Sequence, residues 1–290
     1  MKKILFPTEF SSHAPEVFRF AVELAYFFDA RLIMMYAYSI SDYGLASNQK
    51  NEEQANKATE RMIDFVTSNI PETYRKEIKV DYVAKKGLSS KAILEVAVRE
   101  DVDLIVMGMT GMTNAADILV GSTTMSVLAK ADCPVLMIPA DAKFEGIDNM
   151  VYTTNFEFRD LAVINYLKKW SKKFKAPLHC FHVIEEGDDR MSAIKNMDIL
   201  RTIFKRQKRM SFDFESGKID EEIEKFIKKK RADVLIMIEH KKNFLTRILD
   251  RSRVNEIAHD VSIPLLVMKD NGYELNVVTG EWLKVVHSIA

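Results

Sequence analysis

Residues 102–108 read Val-Asp-Leu-Ile-Val-Met-Gly, a short apolar run that ends at a glycine. The run is apolar without alternation, as expected of a parallel strand that helices cover on both faces. Similar apolar runs occur at 3–7, 31–37, 79–84 and 134–138. Longer helical stretches separate them, at 13–28, about 50–69, 89–100 and 122–131. This order of elements predicts an α/β fold with a doubly wound, mainly parallel five-stranded sheet.

The whole pattern occurs twice in the chain. Residues 102–107 match residues 232–237, Ala-Asp-Val-Leu-Ile-Met, at an offset of 130 (232 − 102). Nearer the N-terminus, residues 4–10 match residues 150–156 at an offset of 146 (150 − 4), so the second copy is shorter by 16 residues (146 − 130). A register that holds through several elements indicates a true internal repeat.

The repeat predicts two tandem Rossmann-like domains. The first spans 1–140, the second spans 147–270, and a C-terminal extension follows at 271–290. In doubly wound sheets, ligands bind beyond the carboxyl ends of the strands, where the strand order reverses. We therefore expect chemistry in the loops that follow the first, second and fourth strands. The polar segment 39–56 follows the second strand and is either a lid or a loop without a special role.

The composition argues against several classes of protein. The chain has 290 residues, 47% of them hydrophobic, and its 42 basic and 42 acidic residues cancel. Such a chain forms globular cores, and no bulk charge recruits nucleic acid or a membrane surface. The two cysteines, Cys133 and Cys180, suit a reducing compartment. The first apolar run stops at Pro7, too early for a signal peptide, so a cytoplasmic location is expected.

A glycine-rich stretch after the fourth strand carries the strongest functional signal. Gly108 and Gly111 are followed, after nine further residues, by Gly121 and Ser122. Glycines let backbone approach a ligand, and we expect Ser122 to be the N-cap of the next helix, whose free N–H groups bind anions. The stretch lacks the lysine of the P-loop and the spacing of the dinucleotide fingerprint. It predicts a different phosphate loop; the alternative is that the glycines only turn the chain.

The pattern Gly-x2-Gly-x9-Gly-Ser resembles the ATP-binding signature of the universal stress proteins. It follows a strand, and the helix after it leads to residues 133–139, Cys-Pro-Val-Leu-Met-Ile-Pro. The opening residues 4–11, Ile-Leu-Phe-Pro-Thr-Glu-Phe-Ser, are similar to the first strand of that family. The resemblance covers both copies, so the chain is similar to a tandem universal stress protein.

The resemblance implies a way of binding ATP, with magnesium as the accompanying ion. The adenine and ribose would lie against the ends of the first two strands, at Pro7, Thr8, Glu9 and Ala37. The phosphates would lie on the loop, at Gly108, Gly111, Gly121, Ser122 and Thr123. The flanking candidates are Met109, Thr110, Met112, Thr113, Asn114 and Thr124. The family usually has Asp at the position of Glu9, whose side chain is longer by one methylene.

The second copy lacks the signature. At an offset of 130, its counterparts of the three glycines are Ile238, Lys241 and Arg251. Side chains thus occupy positions where backbone would approach phosphates, and we predict a degenerate second domain. Its basic loop is more in keeping with a solvated or partner-binding surface than with another anion site. The resemblance also implies that edge strands at 134–138 and 264–268 pair in an internal pseudo-dimer, and a homodimer of two chains stays open.

No general base, paired carboxylates or nucleophile is evident near the glycine loop, and no catalytic residue is predicted. A metal site at His179 and His182 is disfavoured, since residues three apart in a strand point to opposite faces. The favoured hypothesis is an ATP-dependent stress-response regulator with slow or no hydrolysis, acting through an unidentified protein partner. The alternatives are a slow ATPase or nucleotidyl-transfer enzyme of the same fold, and a scaffold protein that binds no nucleotide because of Glu9.

Overall fold

The computed structural model describes residues 1–38, 48–109, 120–157, 160–239 and 263–269. The chain divides into two compact units, Met1–Phe144 and Glu145–Ala290. Each unit contains one copy of the sequence repeat. Within the described residues, no helix combines the length and the apolar character that crossing a membrane requires.

The first unit alternates strands and helices. Its described strands are β1 (Lys3–Thr8), β2 (Arg31–Tyr38), β3 (Val80–Lys86), β4 (Leu104–Gly108) and β5 (Val135–Ile138). Its described helices are α1 (Ala14–Phe28), α2 (Asn48–Asn69), α3 (Ser89–Arg99) and α4 (Ser122–Lys130), with a short 3-10 turn at Glu72–Tyr74. The strands pair in parallel in the order β3-β2-β1-β4-β5. The prediction of a doubly wound, five-stranded parallel sheet is confirmed.

The second unit has the same order of elements. Its described strands are β6 (Met150–Thr153), β7 (Leu178–Ile184), β8 (Met210–Ser216), β9 (Val234–Glu239) and β10 (Leu265–Lys269). Its described helices are α5 (Asp160–Phe174), α6 (Arg190–Ile203) and α7 (Ile219–Lys230). The strands are again parallel, in the order β8-β7-β6-β9-β10. The two copies in the sequence are therefore two copies of one fold.

The direction of winding reverses between β1 and β4. From β1 the chain steps outward to β2 and β3, and from β4 it steps the opposite way to β5. Right-handed connections place α1 and α2 on one face of the sheet and α3 and α4 on the other, and the helices contact one another in these two pairs. The carboxyl ends of β1 and β4 therefore border the crevice in which doubly wound folds bind ligands.

The fourth strand of each unit begins two residues later than its sequence pattern indicated. Asp103 lies just before β4, and its carboxylate accepts a hydrogen bond from the backbone N–H of Lys3 at 2.9 Å. Asp233 lies just before β9 and accepts from the N–H of Asn149 at 2.7 Å. In both units this carboxylate acts together with a backbone bond, from the N–H of Asp103 to Lys3 at 3.0 Å and from that of Asp233 to Asn149 at 2.9 Å, to tie the starts of two neighbouring strands together.

Residues with a left-handed backbone also recur at equivalent positions. Three pairs of non-glycine residues have positive φ and are separated by one of the two offsets: Phe10 and Phe156, Asp29 and Lys175, Asp101 and Arg231. Such a conformation costs a non-glycine residue about 1–3 kcal/mol. After the first strand of each unit a threonine compensates, because Thr8 Oγ1 accepts from the N–H of Phe10 at 3.0 Å and Thr154 Oγ1 from that of Phe156 at 2.8 Å. The same strained turn is thus built twice.

Three segments singled out in the sequence fall outside the described residues, in part or entirely. Of the polar segment 39–56, residues 48–56 form the first turns of α2, and residues 39–47 are outside the described range. The basic loop of the second copy and the C-terminal extension 271–290 also lie outside it.

Candidate functional site

An open crevice of about 260 Å³ lies in the first unit where β1, β2 and β4 end and α4 begins. This is the place that the reversal of strand order indicates. Nine of the residues predicted from the sequence line it: Pro7, Thr8, Glu9, Ala37, Gly108, Gly121, Ser122, Thr123 and Thr124. The fold therefore brings together residues that lie far apart in the chain.

Met109, a predicted flanking residue, is not part of the crevice lining. Its side chain is buried, with 2% exposed. Its N–H donates to the carbonyl oxygen of Ile138 at 2.9 Å, and its own carbonyl oxygen accepts from the N–H of Gly121 at 2.7 Å. Met109 therefore ties the end of β4 to β5 and to the start of α4. The remaining predicted residues, Thr110, Gly111, Met112, Thr113 and Asn114, lie outside the described residues.

The start of α4 differs from the prediction that Ser122 is its N-cap. Gly121 is the N-cap, and Ser122 is the first residue of the helix. The reason is the hydrogen bond from the N–H of Gly121 to Met109, which keeps Gly121 outside the helix. Gly121 has φ −60° and ψ 146°, a conformation open to any residue. The absence of a side chain, and not backbone freedom, is what glycine contributes there.

The hydroxyl groups at the start of α4 have different environments. Thr124 is buried, with 4% exposed, and its Oγ1 donates to the carbonyl oxygen of Gly108 at 2.9 Å. This bond fixes the helix start against the end of β4. Ser122 is exposed and Thr123 is half-buried, and both line the crevice. Two hydroxyls and the first turn of a helix thus face the same open space.

Three helices begin at the crevice. Ala14 of α1, Ser89 of α3 and Ser122 of α4 are first residues of their helices, and all three line it. The N-terminus of a helix carries roughly half a positive charge and N–H groups without an intrahelical acceptor. At α1 these groups are already used, since Ala14 donates to the carbonyl oxygen of Ser11, Glu16 donates to that of His13, and Pro15 has no N–H. The ends of α3 and α4 are therefore the two that attract anions to the crevice.

The sequence reasoning missed part of this lining. Ser11 and His13 from the turn after β1, and Ser89 from α3, also line the crevice. Their signal was present in the sequence, because each lies just beyond the carboxyl end of a strand or at a helix start. The glycine signature covers the loop after β4 and does not include the starts of the other helices.

The rim of the crevice at Thr8 and Glu9 rests on an aromatic cluster. The ring of Phe10 lies 5.0 Å from that of Tyr36 and 5.6 Å from that of Phe65, between centroids. The guanidinium carbon of Arg61 lies 4.1 Å from the centroid of Phe10. Aromatic pairs and cation–π contacts contribute about 0.5–1.5 kcal/mol each. Together they hold the left-handed turn at Phe10 and so position the two residues before it.

The equivalent crevice of the second unit is much smaller, about 40 Å³. Its lining includes Thr153, Thr154 and Asn155, the counterparts of Pro7, Thr8 and Glu9. Three small residues of the first crevice have branched aliphatic counterparts in the second: Ala37 becomes Val183, Ser89 becomes Ile219 and Gly108 becomes Ile238. These side chains occupy the space that is open in the first unit.

A buried polar group lies beside the small crevice. The hydroxyl of Tyr152 donates to Oδ1 of Asp160, and Oδ2 of Asp160 accepts from the N–H of Glu157 at 2.5 Å. Burial raises the pKa of Asp160 from 3.8 to about 6, although these hydrogen bonds act in the opposite direction. Burial and the neighbouring carboxylate raise the pKa of Tyr152 well above its usual value. The counterparts of the two residues in the first unit are Phe6 and Ala14, which carry no polar side-chain atoms.

The two histidines of β7 make separate contacts. Nδ1 of His179 lies 2.8 Å from Oγ of Ser211, and Nδ1 of His182 lies 2.8 Å from the carbonyl oxygen of Thr154. Burial lowers the pKa of both imidazoles. Their contacts are those of structural histidines in a sheet.

Comparisons with known proteins agree with the fold and the repeat. The sequence model of the universal stress protein family matches residues 1–139 and again residues 150–269. Universal stress protein MJ0531 of Methanocaldococcus jannaschii is 30% identical over 143 residues, which cover 49% of this chain and 84% of that protein. MJ0577 of the same organism is 30% identical over 152 residues, which cover 47% of this chain and 94% of that protein. Each of these relatives matches about the length of one copy.

A solved structure matches both copies at once. The universal stress protein from Archaeoglobus fulgidus has a TM-score of 0.73 and 20% sequence identity, and the match covers 93% of this chain and 98% of that one. At this identity the likeness establishes the fold. Together with the two matches of the family model, it leads to one conclusion: the chain belongs to the universal stress protein family and carries that family's domain twice.

Proposed function

We propose that the crevice of the first unit binds ATP, and that its occupancy controls which protein partner the chain contacts. The observation that carries the proposal is that α3 and α4 both begin at one open crevice, at the point where the strand order reverses. Such ends bind phosphate groups. Membership of a family with an ATP-binding signature supports the same ligand.

The lining divides into a part suited to phosphates and a part suited to adenosine. The first turn of α4 offers N–H groups and the hydroxyls of Ser122 and Thr123, and Gly121 leaves room for close approach. The ends of β1 and β2 offer the apolar Pro7 and Ala37, with Glu9 beside them as an acceptor for ribose hydroxyls. The crevice lies near the lower end of the size range of small-molecule sites, so ATP would fill it.

Magnesium would accompany the phosphates in this proposal. It binds oxygen ligands, keeps several waters and neutralises charge on the phosphates. Within the described lining, Glu9 supplies a carboxylate, and Ser122 and Thr123 supply hydroxyl oxygens. This donor set fits an ion that is held mainly by the nucleotide.

A slow ATPase is the second candidate, and one observation favours it. Two titratable side chains, Glu9 and His13, line the crevice. Either could orient a water molecule towards a phosphate. No lysine or arginine occurs among the described lining residues, so charge developing during phosphoryl transfer would be stabilised only by helix ends and the metal ion. We therefore propose slow turnover at most.

The cytoplasm, which is reducing and holds ATP, is the compartment that fits this role.

The binding proposal is tested by titrating ATP, ADP and AMP, each with magnesium, into the full chain. We expect affinity to fall in that order, because each phosphate lost removes contacts with helix ends. The double variant Ser122→Ala/Thr123→Ala should weaken ATP binding by about tenfold or more, because hydrogen bonds to charged groups contribute about 1.5–3 kcal/mol each. Ser126→Ala, on the same helix but outside the lining, is the control. If the chain binds none of the three nucleotides, the alternative of a scaffold protein is favoured instead.

Hydrolysis is tested separately by phosphate release in a single turnover. If release is slow and is lost in Glu9→Gln or in His13→Ala while ATP still binds, the slow-ATPase candidate stands. If release is no faster than that of ATP without protein, the protein acts by occupancy alone.

A further inference from the structure

The second unit has a basic groove that is unrelated to the crevice. It has a volume of about 470 Å³ and lies between the last turns of α5 and the loop that precedes β8. Five cationic side chains line it: Lys168, Lys169, Lys172, Lys208 and Arg209. Four more cations lie in the same two segments: Lys173, Lys175, Lys205 and Arg206. We refer to this feature as the basic groove.

The cations of the basic groove are not neutralised. No Asp or Glu occurs in residues 161–184 or in residues 199–212. Within the described part of the chain, none of the nine cations forms an ion pair. Lys168 instead donates to Oδ1 of Asn165 at 3.3 Å and lies 5.5 Å from the ring centroid of Phe204. The groove therefore concentrates positive charge in a chain whose net charge is zero.

Lysines at and near the start of helix α7 of the same unit provide a contrast. Lys218 pairs with Glu221 at 2.9 Å, and Lys225 pairs with Glu222 at 2.7 Å. Each is an ordinary surface pair at helical spacing. Lysines on α5 have no such partners, so their charge is available to an external anion.

The basic groove is also absent from the first unit. At an offset of 146, the counterparts of Lys168, Lys169 and Lys172 are Val22, Glu23 and Tyr26. The fold therefore does not require cations at these positions. Repulsion between them is a cost that an anionic ligand would remove.

We propose that the basic groove binds a small anion made of several linked phosphates. Lysine and arginine are the side chains that bind phosphate, and a space of this size suits a small molecule. Single-stranded nucleic acid fits less well, because Trp170 and Phe204 beside the groove are buried, with 1% and 5% exposed, and offer no face for stacking bases. The proposal is independent of ATP binding in the first unit.

The test is a calorimetric titration of sodium tripolyphosphate into the full chain that carries Gly121→Arg, so that the first crevice cannot contribute. We expect one binding event that weakens as salt rises from about 50 to about 200 mM. Adding Lys172→Gln/Lys208→Gln/Arg209→Gln to this variant should weaken tripolyphosphate binding at least tenfold, roughly the effect of losing three exposed charge contacts. The matched control, Lys218→Gln/Lys225→Gln/Lys229→Gln, removes the same charge from α7 and should change affinity less than about twofold.

Three results would overturn the proposal: no binding of tripolyphosphate, equal weakening by the two triple variants, or tighter groove-dependent binding of a duplex oligonucleotide of about 20 base pairs. The last would make nucleic acid the occupant. If the variant with the three groove substitutions is unfolded by far-ultraviolet circular dichroism, the single variant Lys172→Gln is used instead. We expect it to weaken tripolyphosphate binding by about threefold. ATP binding by the wild-type chain is a separate measurement, so failure of one proposal does not imply failure of the other.

Discussion

The two crevices of this protein have the same backbone plan and different contents. Both lie beyond the carboxyl end of the first strand of a unit, and both are bordered by a threonine-supported left-handed turn at a phenylalanine. The first is about 260 Å³ and the second about 40 Å³, and the second has Val183, Ile219 and Ile238 where the first has Ala37, Ser89 and Gly108. A duplicated fold can therefore keep the turns and strand pairing that stabilise it while side chains close one of its two sites.

The largest effect is expected when the first crevice is given the three branched side chains that fill the second. Ala37→Val/Ser89→Ile/Gly108→Ile places in the first unit the three side chains that fill the other. We expect ATP affinity to fall by about 100-fold or more, equivalent to about 2.7 kcal/mol, since the added side chains occupy the space that the nucleotide would fill. Calorimetry measures the effect, with the exposed Val98→Ile as the control. Retained affinity would mean that nucleotide does not enter this crevice.

The buried acid of the second unit predicts a pH dependence that the first unit lacks. The pKa of Asp160 is raised by burial to about 6, so the folded state holds this proton more tightly than the unfolded state does. Its contribution to stability is complete below about pH 4 and is lost as the pH rises through 6. This carboxyl group should therefore lower the free energy of unfolding of the second unit by about 3 kcal/mol over that range. His179 and His182, whose pKa values burial lowers, contribute in the opposite direction, so the difference between wild type and Asp160→Asn isolates the carboxyl group.

Asp160→Asn removes the titrating group and should flatten this dependence. Urea unfolding followed by the fluorescence of Trp170, which is buried in the same unit, measures it between pH 4 and 7. The first unit contains no tryptophan, so Trp282→Phe in both proteins leaves Trp170 as the sole fluorescent tryptophan. Parallel curves for wild type and Asp160→Asn would show that the carboxyl group does not titrate in this range.

The smallest predicted effect concerns the turn that both units share. Thr8→Val and Thr154→Val each remove the oxygen that accepts from the N–H of the following phenylalanine. Thr8→Val should cost about 1 kcal/mol, the contribution of one hydrogen bond, and Thr154→Val more, because the Thr154 hydroxyl also hydrogen-bonds the buried Asp160. Chemical unfolding of each variant is compared with that of Thr73→Val, at an exposed position. A cost confined to one unit would mean that the turn is stabilised differently in the two copies.

Much of the fold was predictable because apolar runs and repeat offsets are strong signals. The sheet topology and the position of α4 followed from the period of the apolar residues. The start of β4 did not, because Asp103 acts through a side-chain hydrogen bond that periodicity does not register. The N-cap of α4 was also wrong, since a bond from Gly121 to Met109 depends on how the loop closes in space.

The candidate site was less completely predictable. A signature within one loop identifies residues near each other in sequence, and Ser11, His13 and Ser89 lie outside it. The filling of the second crevice was foreseen at Ile238 but not at Ile219, because only the assembled fold shows that α3 and α7 border the crevices. The first unit has Phe6 and Ala14 where the second has Tyr152 and Asp160. The sequence does not reveal that Tyr152 and Asp160 form a hydrogen bond, because they contact each other only in the folded unit.

The most direct test of the central claim is the number of nucleotide sites per chain. Calorimetric titration of ATP with magnesium into the wild type should give one site, and Gly121→Arg should abolish it. This variant copies Arg251 of the second copy, and its backbone conformation of φ −60° and ψ 146° accepts a side chain without strain. Two sites, no site, or one site that survives Gly121→Arg would contradict the assignment of ATP to the first crevice alone.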